Sequence, residues 1–129
     1  SVILHTGEYI TQTFTPKTLS FNAIQFYGSI LSNNNGGIRV VLKREDDTLI
    51  EKYIPNYKLK NGTNTLFFGE IMEAQGKRFS VTFFGDIPVF KLDYVNVVMG
   101  VGTYYSNEIP KKACLKFNVL KDAQYVTVD

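Results

Sequence analysis

One histidine, His5, and one cysteine, Cys114, are all the imidazole and thiol chemistry that the chain offers. A Ser–His–Asp or Cys–His arrangement would have to use His5 as its base. That residue lies in Val2-Ile3-Leu4-His5-Thr6, with no nucleophile motif around any serine or around Cys114. It reads as a surface or edge-strand histidine. A zinc site needs several His or Cys ligands, and the chain has one of each. Gly100-Val101-Gly102 lacks the third glycine and the following helix of a dinucleotide fingerprint, so it reads as a bulge or flexible point in a strand. Glycoside hydrolysis needs two carboxylates facing each other across a cleft. Glu45, Asp46, Asp47, Asp86 and Asp93 all fall near predicted turns, and their spacing selects no pair. These residues predict a domain that is not an enzyme.

Two kinds of binding chemistry remain. Calcium needs only oxygen ligands, and Glu8 and Asp129 are candidates if the terminal strands pair. A structural calcium ion is the one cofactor considered, and the chain has no EF-hand spacing. Sugars are bound by flat rings that stack on a pyranose face, beside amides and carboxylates that bond its hydroxyls. Tyr53, Asn56 and Tyr57 form one such group, and Tyr104, Tyr105 and Asn107 a second. Tyr27 with Asn33, Asn34 and Asn35 makes a third. The structural alternative is that each tyrosine caps the core with its hydroxyl in water. Asn61-Gly62-Thr63 matches the N-glycosylation pattern, but Asn-Gly already has an explanation as a tight turn.

The elements that would position these groups are strands. Phe79, Val81 and Phe83 alternate with Ser80 and Thr82, and Leu115, Phe117 and Val119 alternate with Lys116 and Asn118. A period of two marks a strand with one buried face. Further strands are predicted at 8–15, 19–31, 38–43, 48–54, 66–68, 77–84, 89–94, 95–101, 113–120 and 124–128. The 19–31 segment changes parity, from Leu19, Phe21 and Ala23 to Ile24, Phe26 and Ile30, as a β-bulge would make it. A single helical turn is predicted over 70–75 and a polar loop over 104–112. No segment sustains a 3.6-residue period. The reading is an all-β, two-sheet antiparallel sandwich, jelly-roll-like, in one domain over 1–129.

The bulk composition agrees. The aromatic residues are eight Tyr and ten Phe, which pack well on a pleated surface. Fourteen basic residues nearly balance twelve acidic ones. The basic pairs Lys43-Arg44, Lys77-Arg78 and Lys111-Lys112 sit at predicted strand ends rather than forming the stripe of a nucleic-acid binder. No apolar run approaches the roughly 20 residues that span a bilayer. One cysteine excludes an internal disulfide but is compatible with both reducing and exported settings. The chain starts at Ser1 and reads as a piece of a longer protein, whose other domains would be its neighbours.

The order Gln12-Thr13-Phe14, Leu19 and Ile24, the Asn/Gly loop, Gly37-Ile38-Arg39-Val40-Val41-Leu42, Leu59 with Asn61, then Gly76-Lys77-Arg78-Phe79 carries a resemblance. It resembles the galactose-binding or carbohydrate-module type of jelly roll that accompanies bacterial cell-surface polysaccharide proteins, including large membrane proteins and glycosyltransferases. The resemblance covers about two-thirds of the chain in short, fold-determining motifs, and after Phe84 no glycan-contacting motif is matched. It implies an extracytoplasmic setting, at the cell surface, in the periplasm or secreted. The functional expectation is a carbohydrate-binding accessory domain of a bacterial envelope or secreted protein. The alternative is a structural or protein–protein module, such as a phage-tail, adhesin or assembly component. A hydrolase or lyase on a sandwich scaffold ranks third.

Overall fold

The computed structural model describes residues 2–31, 35–86, 90–96, 104–111 and 113–129. Fourteen strands run along the described chain: β1 (Val2–Leu4), β2 (Tyr9–Phe14), β3 (Phe21–Ile30), β4 (Gly37–Arg44), β5 (Asp47–Pro55), β6 (Gly62–Ile71), β7 (Phe79–Gly85), β8 (Phe90–Leu92), β9 (Tyr94–Asn96), β10 (Tyr104–Ser106), β11 (Ile109–Lys111), β12 (Ala113–Leu115), β13 (Phe117–Lys121) and β14 (Gln124–Val126). One six-stranded sheet is ordered β11-β10-β2-β7-β4-β5. The other six-stranded sheet runs β1-β8-β3-β13-β14, with β6 also on β3. Every pairing between these strands is antiparallel. From β1 to β8 the chain crosses from sheet to sheet between β1 and β2, β2 and β3, β3 and β4, β5 and β6, β6 and β7, and β7 and β8. This back-and-forth makes a two-sheet sandwich whose path is compatible with a jelly roll.

The predicted alternation puts the core where it should be. Ile10 and Phe14 of β2, Ile38, Val40 and Leu42 of β4, and Phe79, Val81 and Phe83 of β7 meet Phe21, Ile24 and Phe26 of β3, Phe90 and Leu92 of β8, Leu115, and Val119 of β13. Phenylalanines knit the sheets together. Across the interface Phe21 meets Phe79 edge-on at 5.0 Å between centroids and Phe26 meets Phe83 at 5.1 Å, while Phe79 also stacks at 5.6 Å on Phe14, its cross-strand partner in the same sheet. Such pairs add about 0.5–1.5 kcal/mol each beyond the burial of their area. Gly28 is required where β3 meets β8, because a Cβ there would run into the Lys91 carbonyl and the Phe90 ring.

Beside Gly28 the sheet forks. β9 pairs with β12, and their continuations β8 and β13 splay apart to lie along β3 at Gly28–Ile30 and Ala23–Phe26 respectively. The branch point is fixed by backbone bonds: Asp93 N–H donates to the Tyr27 carbonyl at 2.8 Å, and Lys116 N–H to the Asp93 carbonyl at 2.9 Å. Gln12 then ties the fork to the opposite sheet. Its side chain is fully buried, and its Oε1 accepts the Leu115 N–H at 2.8 Å.

Four local expectations are corrected. The 70–75 segment is not a helical turn: β6 continues to Ile71 because Phe21 pairs with it, and six residues cannot nucleate a helix against that competition. The polar loop over 104–112 is a hairpin, β10 to β11, turning at Asn107-Glu108 with φ of 48° and 71°. Val2–Leu4, not assigned to a strand from sequence, pairs with β8. Leu19, read as inward-facing, is 69% exposed, while Phe21 and Ile24 both enter the core across the register slip between Phe21 and Ala23.

Candidate functional site

Sheet register assembles a surface that no local stretch of sequence contains. On β2, Ile10, Gln12 and Phe14 face inward, so Tyr9, Thr11 and Thr13 face out. Tyr9 stands opposite Phe84 on β7, Phe84 opposite Arg39 on β4, and Arg39 opposite Tyr53 on β5. The result is one row of rings and a guanidinium across four strands. Tyr9 and Phe84 lie 5.6 Å apart between centroids, and the Arg39 guanidinium sits 4.0 Å above the Phe84 ring. Glu51 fixes the free side of that guanidinium through a 2.6 Å ion pair.

The next row is Tyr105, Thr11, Thr82, Val41 and Glu51, again read directly from register. The Thr11 and Thr82 hydroxyls share a 2.8 Å hydrogen bond. Thr13, Ser80 and Lys43 make the third row. From these rows Tyr9, Phe84, Tyr105, Thr11, Thr82, Thr13, Ser80 and Lys43 line an open depression of about 640 Å³, bounded also by Arg78, by Glu45 and Asp46 on the β4–β5 turn and by Glu108 on the β10–β11 turn, while Arg39 lies beside it over Phe84. Desolvation, followed by the neighbouring Glu108 carboxylate, holds the Tyr9 phenol above its ordinary value, so it remains a neutral donor. Among the described residues no histidine or cysteine lines the depression. Its chemistry is flat apolar faces beside hydroxyls, the Arg78 guanidinium, the Lys43 ammonium and carboxylates, with the Arg39 guanidinium at its margin over Phe84.

The predicted residues scatter over three regions. Tyr105 joins the depression. Asn107 supports it from below, accepting the Tyr9 N–H on Oδ1 at 2.8 Å and donating its own N–H to the Tyr9 carbonyl at 2.9 Å. Tyr104 stands opposite Gln12 in β10. Asn35, Asn56 and Tyr57 meet in a separate hollow of about 500 Å³ beside Ile30, Pro55 and Leu59. Asn33 and Asn34 lie outside the described residues. Tyr53 ends the aromatic row, its hydroxyl donating to Asp86 at 3.4 Å. Desolvation and then the Asp86 carboxylate push its phenol up. Tyr27 belongs to the other sheet, where its hydroxyl receives the Asn118 amide at 3.0 Å and its ring lies 4.6 Å from the Lys116 ammonium.

Glu8 and Asp129 do not meet. Glu8 precedes β2, with its carbonyl accepting the Gly85 N–H, whereas Asp129 pairs with Thr15 beyond the far end of β2 and forms a 3.2 Å ion pair with Lys17. The seven strand steps from Glu8 to Thr15 span about 23 Å. The C-terminal segment does meet the first predicted strand, through Thr15 with Asp129 and Pro16 with Val128, but only at the end remote from Glu8. Among the described residues no three His, Cys, Asp or Glu side chains cluster as metal ligands. His5 is exposed, and Cys114 is buried with its thiol pushed up by desolvation.

Sequence reasoning missed Tyr9, Thr11, Thr13, Arg39, Ser80, Thr82 and Phe84. The signal was present in Tyr9-Ile10-Thr11-Gln12-Thr13-Phe14, where the outward positions carry a ring and two hydroxyls, and in the doubled Phe83-Phe84. Comparison with protein-family models, curated proteins and solved structures returns no match. Among the described residues no helix is long and apolar enough to cross a membrane.

Proposed function

We propose that this domain is a non-catalytic carbohydrate-binding accessory module of a bacterial envelope or secreted protein, and that the outer face of the β2-β7-β4 sheet is its glycan platform. The row Tyr9–Phe84–Arg39 beside the Thr11–Thr82 hydroxyls carries the reading. Rings held at this spacing stack on the apolar face of a sugar, and hydroxyls with a pinned guanidinium bond its equatorial oxygens. The depression is shallow and open, which suits the side of a polymer rather than an enclosed small molecule. Affinity per site is weak, and several copies in a parent protein raise it through effective concentration. The extracytoplasmic setting rests on the resemblance to modules of cell-surface polysaccharide proteins.

A glycan array followed by titration calorimetry tests the reading. Phe84→Ala and Tyr105→Ala should each weaken binding about 2- to 10-fold, the worth of one stacked ring. Unchanged affinity in both, or no binding across diverse neutral and charged glycans, rejects it. A second reading, an assembly module, is favoured by exposed Leu19 and Met72. Their segments are tied by the Ala74 N–H to Leu19 carbonyl bond at 2.8 Å. Concentration-dependent oligomers by light scattering, abolished by Leu19→Ser, would favour that reading.

A further inference from the structure

A second cleft, of about 740 Å³, opens at the side of the sandwich between β5, the last strand of one sheet, and β6, on the rim of the other. Among the described residues its lining contains Lys52, Lys58 and Lys60 and no carboxylate. Three aromatic side chains stand at it with much of their surface open: Tyr53 at 51%, Phe67 at 63% and Tyr57 at 83%. We propose that this cleft binds an acidic polysaccharide, the lysines meeting the carboxylate, sulfate or phosphate groups of its sugars and the open rings stacking on the sugar faces.

The local structure holds this constellation in place. Pro55 ends β5, and residues 56–58 make one 3-10 turn, anchored by buried Leu59 and by the Asn56 N–H to Gly36 carbonyl bond at 2.8 Å. Buried Asn64 closes the following turn on both sides, accepting the Lys60 N–H at 2.8 Å and donating to the Lys60 carbonyl at 2.9 Å. Lys58 and Lys60 therefore project from a loop whose backbone is braced, so binding has to order their side chains but not the loop itself.

Lys52 decides between kinds of polymer. It stands opposite core residue Val40, on the inward side of edge strand β5. Its ammonium donates to the Phe67 carbonyl on β6 at 3.2 Å. In an antiparallel strand the residues two and four before Phe67 present their backbone to the same edge, so Thr63 and Thr65 share the edge that Lys52 lies across. An inward lysine over a strand edge opposes the addition of another strand. A peptide entering as a β-strand is disfavoured, whereas an anionic sugar polymer needs no ladder of backbone bonds.

Among the described residues the cleft shares no lining residue with the depression of the glycan platform, and Tyr53, at the end of the aromatic row, is the one side chain named in both readings. The chain Ser1–Asp129 would be titrated with polygalacturonate, dextran sulfate and neutral dextran at low and high salt, using Lys52→Gln, Lys58→Gln and Lys60→Gln singly and together. Tyr105→Ala controls for the platform, and Lys111→Gln for nonspecific charge. Both polyanions, or one of them, should bind and neutral dextran should not engage the cleft. Each lysine change should weaken polyanion binding about 2- to 5-fold, with the triple variant losing at least about 10-fold, and salt should weaken wild-type binding. Neither Tyr105→Ala nor Lys111→Gln should matter. Absent polyanion binding, or binding that survives the triple variant or falls equally with Lys111→Gln, overturns the proposal. Neutral glycans lost only with Tyr105→Ala would leave the platform standing when the cleft fails, and the converse result would retain the cleft alone.

Discussion

Replacing Gln12 with methionine should measure what one buried amide contributes to joining the two sheets. Gln12 is fully buried, its Oε1 accepts the Leu115 N–H at 2.8 Å, and its Nε2 donates to the Thr13 carbonyl at 3.0 Å. Methionine keeps an unbranched side chain of similar volume, so no cavity opens. It removes the acceptor, and the N–H of nearly inaccessible Leu115 is left without it. A buried donor stranded in this way costs about 1–3 kcal/mol. At an unfolding entropy of about 2.1 cal/mol/K per residue, a chain of this length loses about 4 °C in Tm for each kcal/mol. Gln12→Met should therefore lower Tm by about 4–11 °C, and shift the urea midpoint with little change in m. Circular dichroism during thermal and urea unfolding reads both. Gln12→Glu provides the sign test. The protonated carboxyl can reproduce both hydrogen bonds, but the ionised form cannot donate and is buried. Its folded pKa would lie above the unfolded value, so the variant should be most stable at low pH and lose stability as pH rises above about 4.3. An unchanged Tm for Gln12→Met, or a glutamate variant that gains stability between pH 4 and 7, would refute the reasoning.

Three further outcomes can be checked on the isolated chain. Gly28→Ala should destabilise by about 1–3 kcal/mol in urea titration, because the new methyl meets the Lys91 carbonyl and Phe90 where β3 approaches β8. The Glu70 carboxyl is held below its ordinary 4.5, first by the Ser20 hydroxyl and then by Lys121. Its contribution is present above the unfolded value and is lost as pH falls through the folded one, so Glu70→Gln should flatten the acid side of a Tm-versus-pH curve. Cys114 should react slowly with a disulfide reagent in the native state and rapidly in urea, since burial both covers the thiol and raises its pKa.

The scaffold was legible where one residue in two is apolar, as at Phe79–Val81–Phe83 and Ile38–Val40–Leu42, because a half-buried strand imposes that period. It was illegible where the turn chemistry was unusual. The β10–β11 hairpin turns on positive φ at Asn107 and at Glu108, a residue type that gives no turn signal, and Pro110 disguised the edge strand that follows. β6 was read as 66–68 because Thr63, Asn64 and Thr65 are polar, yet Thr63 and Thr65 face outward and Asn64 is spent on the Lys60 backbone. The site was harder still. Tyr9, Arg39 and Phe84 are brought together by the pairing of β2, β7 and β4, strands far apart in sequence, and register between such strands is not written in any local window. Loops rich in Tyr and Asn attracted attention instead, and one of them, Asn107, proved to hold Tyr9 in position.

Amide chemical-shift mapping during titration with a neutral oligosaccharide selected from the array tests the central claim most directly. Shifts should concentrate on Tyr9, Thr11, Arg39, Thr82, Phe84 and Tyr105, with the outer face of the β3–β13 sheet silent. Shifts confined to Tyr27 and Asn118, or to the hollow at Asn56 and Tyr57, would contradict it.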